Sequence, residues 1–92
     1  MEFTRELSYG MAGADVRYMK EILLKMGYYD KSRVTSITND KYLGDTRSAV
    51  KLFQAKHNCE ITGTIDEPTW GTIIIASTEE DDNIQNPVLR VA

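Results

Sequence analysis

Residues 14–26 read Ala-Asp-Val-Arg-Tyr-Met-Lys-Glu-Ile-Leu-Leu-Lys-Met, and this stretch decides the fold class. Val16, Met19, Leu23 and Met26 recur at alternating steps of three and four, which places them on one face of a helix. Ile22 widens the stripe, while Arg17, Lys20, Glu21 and Lys25 fall elsewhere and suit solvent. Gly13 can cap the start, Asp15 in the first turn favours the positive end of the dipole, and Gly27 stands where a left-handed residue ends a helix.

Further along the chain, the same logic predicts a second helix over residues 45–57 and a third over residues 67–76. Ala49, Val50 and Phe53 form the apolar stripe of the second, with Thr46 in its first turn. Asp66 is the N-cap of the third, Pro68 is tolerated in its first turn, and Trp70, Ile73 and Ile74 supply its buried side. Residues 30–41 (DKSRVTSITNDK) are polar and read as a long loop, with an extended piece at residues 34–37. Residues 58–65 form a connector that turns at Gly63, and residues 1–6 read as a frayed lead-in. Asp40-x-Tyr42-x-x-x-Thr46 and Gly63-x-Ile65-x-x-x-Thr69 share a spacing. In each, a tight turn drops an apolar residue into the core and then starts a helix. The expected architecture is all-α: a small three-helix bundle with long structured loops.

Ninety-two residues hold one domain with one small core. Hydrophobic residues at 41% and charged residues at 27% are an ordinary globular mix, with no run long enough to span a bilayer. The opening MEFTRELSYG has no apolar segment of the kind a secretory signal carries. The net charge of −3 comes from Glu79, Glu80, Asp81 and Asp82, offset only by Arg90, because residues 1–78 carry ten basic and ten acidic side chains. A neutral body lacks the basic stripe that nucleic acid or an anionic membrane requires, so neither is an expected partner. Cys59 is the only cysteine, which excludes an internal disulfide and a CxxC motif.

These residues resemble the three-helix peptidoglycan-binding domain found attached to bacterial cell-wall hydrolases. That family's first motif is Leu-x-x-Gly-x-x-Gly-x-Asp-Val before a helix, matched by Leu7, Gly10, Gly13, Asp15 and Val16, with Met26-Gly27-Tyr28 standing for its Leu-Gly-Tyr. The second, Asp-Gly-x-Phe-Gly-x-x-Thr-x-x-Ala-Val-x-x-Phe-Gln, is matched by Tyr42, Thr46, Ala49, Val50, Phe53 and Gln54. The third, Thr-Gly-x-Val-Asp-x-x-Thr-Trp, is matched by Thr62, Gly63, Ile65, Asp66, Thr69 and Trp70. The resemblance covers about residues 7–75. Three departures stand out: Asn39-Asp40 replaces Asp-Gly, with Leu43 in place of the glycine after the aromatic; the loop from Tyr29 to Asp40 is longer; and Lys20 stands where the family usually has Gln.

The resemblance implies a non-catalytic module that binds peptidoglycan, through its glycan strand or stem peptide, and targets an attached hydrolase or amidase to the bacterial wall. Its expected location is therefore extracellular, at the wall, and its expected state as an isolated domain is a monomer. A protein–protein or pro-segment module on the same scaffold is the alternative, because a fold does not fix a function. Two adjacent tyrosines at a helix end, Tyr28 and Tyr29, cannot both point inward, and an exposed aromatic suits a glycan. Asn39, Asp40, Lys41 and Arg47 lie near the same loop and can hydrogen-bond a muropeptide carboxylate or amide. Trp70 and Tyr42 read as core.

No catalytic residue is expected. His57 and Cys59 lack a third ligand for zinc, and no GxSxG, HExxH or P-loop occurs. No metal and no cofactor is called for. Residues 7–77 form the expected domain, and residues 78–92 an acidic, proline-containing linker and tail. Residues 88–92 (VLRVA) turn apolar again, which fits either the start of a further domain or a tail docked on the bundle.

Overall fold

The computed structural model describes residues 1–29 and 39–85, with side chains through Thr78. The extended piece expected at residues 34–37 and the apolar tail at residues 88–92 lie outside the described residues. Three helices succeed one another: α1 (Ala14–Lys25), α2 (Gly44–Lys56) and α3 (Glu67–Gln85). Among the described residues there is no β-strand, only two isolated antiparallel bridges, Leu7 with Ile65 and Ala12 with Lys41.

The helix ends are set by local chemistry. Gly27, at φ +88°, turns the chain left-handed after α1, so its N–H reaches Leu24 O and the Tyr28 N–H reaches Leu23 O, both at 3.0 Å. Asn58 does the same after α2 at φ +58°, and the Cys59 N–H donates to Gln54 O at 2.9 Å. Asp66 caps α3 by accepting the Thr69 N–H at 2.9 Å. α1 and α2 have no side-chain N-cap bond. Instead Asp15 and Asp45, each inside the first turn, accept the N–H of the next residue at 2.9 and 2.8 Å.

The three stripes meet in one core. Val16, Met19 and Leu23 from α1, Val50 and Phe53 from α2, and Ile73 from α3 are all fully buried. Tyr42 and Ile65, the two apolar residues of the repeated turn spacing, are sealed inside as well, each succeeded by a buried Thr46 or Thr69. The echo is therefore structural: two turns anchor in the same core and launch α2 and α3.

Two expectations need correcting. Residues 1–6 are not frayed. Phe3 meets Trp70 edge-on at 5.8 Å between ring centres, and Arg5 binds Asp15 at 2.9 and 3.1 Å and the Ala12 carbonyl at 2.9 Å. The reason lies in the turns, whose backbone groups need partners that no helix supplies. Residues 7–13 provide them: Leu7 exchanges two bonds with Ile65, the Gly10 N–H donates to Tyr42 O, and the Gly13 N–H donates to Asp40 O. Second, α3 does not stop near residue 76 but runs to Gln85, through most of the stretch read as a linker. Glu is a good helix former, and helix propagation adds one hydrogen bond per residue at little cost once a core-packed nucleus exists.

The burial of Phe53 sets a testable magnitude. Phe53→Ala is expected to destabilise the domain by about 3–5 kcal/mol in urea unfolding, through lost burial plus a cavity. A loss below about 1 kcal/mol would place Phe53 outside the core.

Candidate functional site

Buried polar side chains hold the two turns from below. In the second turn, Gln54 is fully buried on α2. Its Oε1 accepts the Thr62 and Gly63 N–H groups, both at 3.0 Å, and its Nε2 donates to Thr64 O at 3.0 Å and to the Thr62 and Thr69 hydroxyls at 3.2 Å. In the first turn, Lys20 does the equivalent work from α1. It is 1% exposed, and its ammonium donates to Asn39 Oδ1 at 2.8 Å and to the Lys41 carbonyl at 2.7 Å. Asn39 Oδ1 also accepts the Lys41 N–H at 2.9 Å, which closes the turn on itself. Val16 and Lys20 stand to the first turn as Val50 and Gln54 stand to the second. Burial pulls the Lys20 amine below its ordinary pKa, against the field of Asp45 and Asp40, which favours the charged form.

Above these clamps lies the surface that the turns present. Asn39, Asp40 and Lys41 are exposed together in the first turn. Arg47, in the first turn of α2, has its guanidinium carbon 5.9 Å from the centre of the exposed Tyr9 ring. Tyr28 sits at the opposite end of α2, edge-on to Phe53, with its hydroxyl 3.2 Å from His57 Nε2 and the Lys56 ammonium over its ring. Tyr29 is buried, and its hydroxyl donates to Thr46 Oγ1 at 2.9 Å.

The six residues singled out in the sequence are therefore not one cluster. Of the tyrosine pair, Tyr28 keeps a partly exposed ring and Tyr29 turns inward, because the chain leaves Gly27 beside the α1–α2 seam and Thr46 offers the hydrogen-bond partner that a buried phenol needs. Lys20 is the residue whose role sequence reasoning misses. Its type assigns it to solvent, although the repeated Val-x-x-x-Lys and Val-x-x-x-Gln spacing carries the signal.

The His57 ring stacks on Phe53 at 4.2 Å, and the Cys59 thiol faces the His57 carbonyl at 3.9 Å. Among the described residues no group of three His, Cys, Asp or Glu side chains could hold a metal, and no helix is long and apolar enough to cross a membrane.

Two measurements check this geometry. Lys20→Met removes the donor from two buried acceptors and should cost about 1–3 kcal/mol while accelerating amide exchange at Lys41 and Gly13; Lys20→Gln should restore both. At alkaline pH the two buried phenols decide the sign. Burial holds Tyr29 and Tyr42 well above the ordinary tyrosine range, the Thr46 bond and Arg47 opposing it in part. The unfolded chain releases these protons near pH ~10 while the folded chain keeps them, so stability falls as pH rises through and above that value. Lys20 acts in the opposite sense just below pH ~10.5, where the unfolded chain holds the extra proton. A thermal midpoint that drops above pH ~10, with a shallower drop in Tyr29→Phe and Tyr42→Phe, is the expected result.

Residues 12–73 match the model of a family described as "Putative peptidoglycan binding domain". The crystal structure of the Burkholderia AP3 phage endolysin superposes with a TM-score of 0.64 at 32% identity, over 75% of this chain and 24% of that one. The chain thus spans about a quarter of the endolysin's length. No curated protein matches the chain. The family match begins at the bridge of Ala12 and ends in the core-facing turn of α3, so it takes in both clamped turns and all the helical packing between them. The chain belongs to the peptidoglycan-binding domain family.

Proposed function

We propose that this chain is a non-catalytic module that holds peptidoglycan and keeps an attached cell-wall hydrolase or amidase at its substrate. The observation that carries this reading is the family match across residues 12–73, which takes in both turns and the helices they start. The likeness to part of an endolysin supports the same reading. The domain's contribution is local concentration: an enzyme tethered to a wall-bound module meets its bonds at an effective concentration set by the linker. The bacterial wall, outside the membrane, is where such a module acts.

Within this reading the surface over the turns meets the ligand. Asn39, Asp40 and Lys41 offer exposed polar groups on a turn that Lys20 fixes, and Arg47 offers a guanidinium for a carboxylate or amide. Tyr28 adds a partly exposed ring at the other end of α2, suited to a sugar face. The module works as a monomer. Catalysis lies on another domain of a longer protein.

Sedimentation with purified sacculi tests the reading, with chitin and cellulose as controls. The chain should pellet with sacculi and stay in solution with both controls, at an affinity of about micromolar or weaker, as a small surface with shallow turns implies. Equal partition among the three polymers, or no pelleting at all, would remove peptidoglycan as the ligand.

A further inference from the structure

The region around Gly63 carries a feature that the family match does not explain. Arg47 and Lys51 stand one turn apart on α2, and both stems lie across Gly63. A Cβ at Gly63 would fall 3.1 Å from Arg47 Cγ and 3.0 Å from Lys51 Cε, so any other residue would push these stems aside by a few tenths of an ångström. Gly63 also needs its φ of +79°, which side chains rarely adopt. This floor is held on both sides. The Gly63 N–H donates to Gln54 Oε1 at 3.0 Å, and its carbonyl accepts the buried Tyr42 hydroxyl.

On that floor two cationic heads are collected. The Lys51 ammonium is one bond beyond the Cε that touches the glycine. The Arg47 guanidinium lies over the face of Tyr9, whose ring is 58% exposed and whose neighbour Gly10 is bonded to Tyr42 O at 2.8 Å. At 5.9 Å from the ring centre the guanidinium is within cation–π range, a contact that leaves its N–H donors unused by the ring. Among the other described cations Arg5 binds Asp15, Arg17 faces Glu21 and Lys20 is buried on Asn39, whereas the exposed Lys41 and Lys56 have no carboxylate at ion-pair distance and stand apart from Gly63. Among the described residues neither Arg47 nor Lys51 has a carboxylate at ion-pair distance. In a body with as many acids as bases, this is a place where positive charge gathers without an answer.

We propose that Arg47, Lys51 and Tyr9 form a carboxylate subsite that takes the free C-terminal carboxylate of a wall stem peptide. This rests on the wall-binding reading and deepens it. A planar guanidinium edge matches a carboxylate with two parallel bonds, and a neighbouring ammonium adds charge without competing for that edge. Tyr9 offers an apolar border of a size that suits the methyl groups of alanine residues beside such a carboxylate. A glycan strand gives this pair of cations nothing to neutralise, because its acidic lactyl groups are consumed as amides where stem peptides attach. The stem peptide ends in a free carboxylate, and the charge complementarity selects it.

The test uses the full 92-residue chain, with N-acetyl-lysyl-D-alanyl-D-alanine, its C-terminal amide and inorganic phosphate as probes. Backbone amide shifts report binding directly, and sacculus sedimentation is run in parallel. The acid should shift Tyr9, Gly10, Arg47 and Gly63, and the C-terminal amide should bind at least about tenfold more weakly. The double variant Arg47→Gln with Lys51→Gln should lose the acid's shifts and sediment several-fold less with sacculi, at an unchanged thermal midpoint. Equal binding of acid and amide, shifts confined to another surface, phosphate competing as well as the acid, or a double variant that behaves as the parent would each overturn the subsite. If the parent sediments with sacculi while the acid gives no shift, the wall-binding reading stands and this subsite falls. If acid-specific shifts persist without sedimentation, the subsite stands and the wall-binding reading falls.

Discussion

The side chain of Gln54 is the constraint on which the second half of this structure rests. One fully buried amide collects two backbone N–H groups, a carbonyl and two hydroxyls, and so fastens α2, the second turn and the first turn of α3 to one another. A buried amide is tolerable only when its donors and acceptors are used, and here they are used on a turn that has no helix or sheet to satisfy it. The effect extends to its neighbours. With the turn pinned, Ile65 drops into the core, Asp66 reaches its capping position, and Gly63 lies flat enough to carry the stems of Arg47 and Lys51.

Lys20 repeats this device with a charge in place of an amide. Its ammonium is a donor only, so it can bond Asn39 Oδ1 and the Lys41 carbonyl but cannot accept a backbone N–H as Gln54 does. The missing acceptor is supplied by Asn39, whose Oδ1 takes the Lys41 N–H. Lys20 and Asn39 therefore act as a pair. The cost is a buried positive charge, moderated by the fields of Asp45 and Asp40.

These clamps matter for function because a small domain has few ways to make a surface rigid. The core takes the helical stripes, and the turns would be mobile on their backbones alone. Buried polar groups and the N-terminal segment convert them into fixed platforms, so that exposed groups such as Lys41, Arg47 and Tyr9 stand on a backbone that needs little further ordering. A rigid platform of this kind can be selective without a large contact area.

The helices were legible in the chain because their signal is local. Val16, Met19 and Leu23 are spaced for one face, Gly27 marks an end, and Asp66 marks a start, each decided within a few residues. The all-α architecture, the burial of Tyr42 and Trp70 and the family itself are read from such spacings. Only the tertiary structure decided which tyrosine of the pair turns inward, that Lys20 is buried, that residues 3–7 are tied down, and that Arg47 lies over Tyr9. Each of those outcomes depends on a partner distant in sequence: Thr46 for Tyr29, Asn39 for Lys20, Trp70 and Ile65 for the N-terminal segment, Tyr9 for Arg47. Periodicity reports which face of an element is apolar. It carries no information on which long-range polar partner will satisfy a group that the fold has taken out of water.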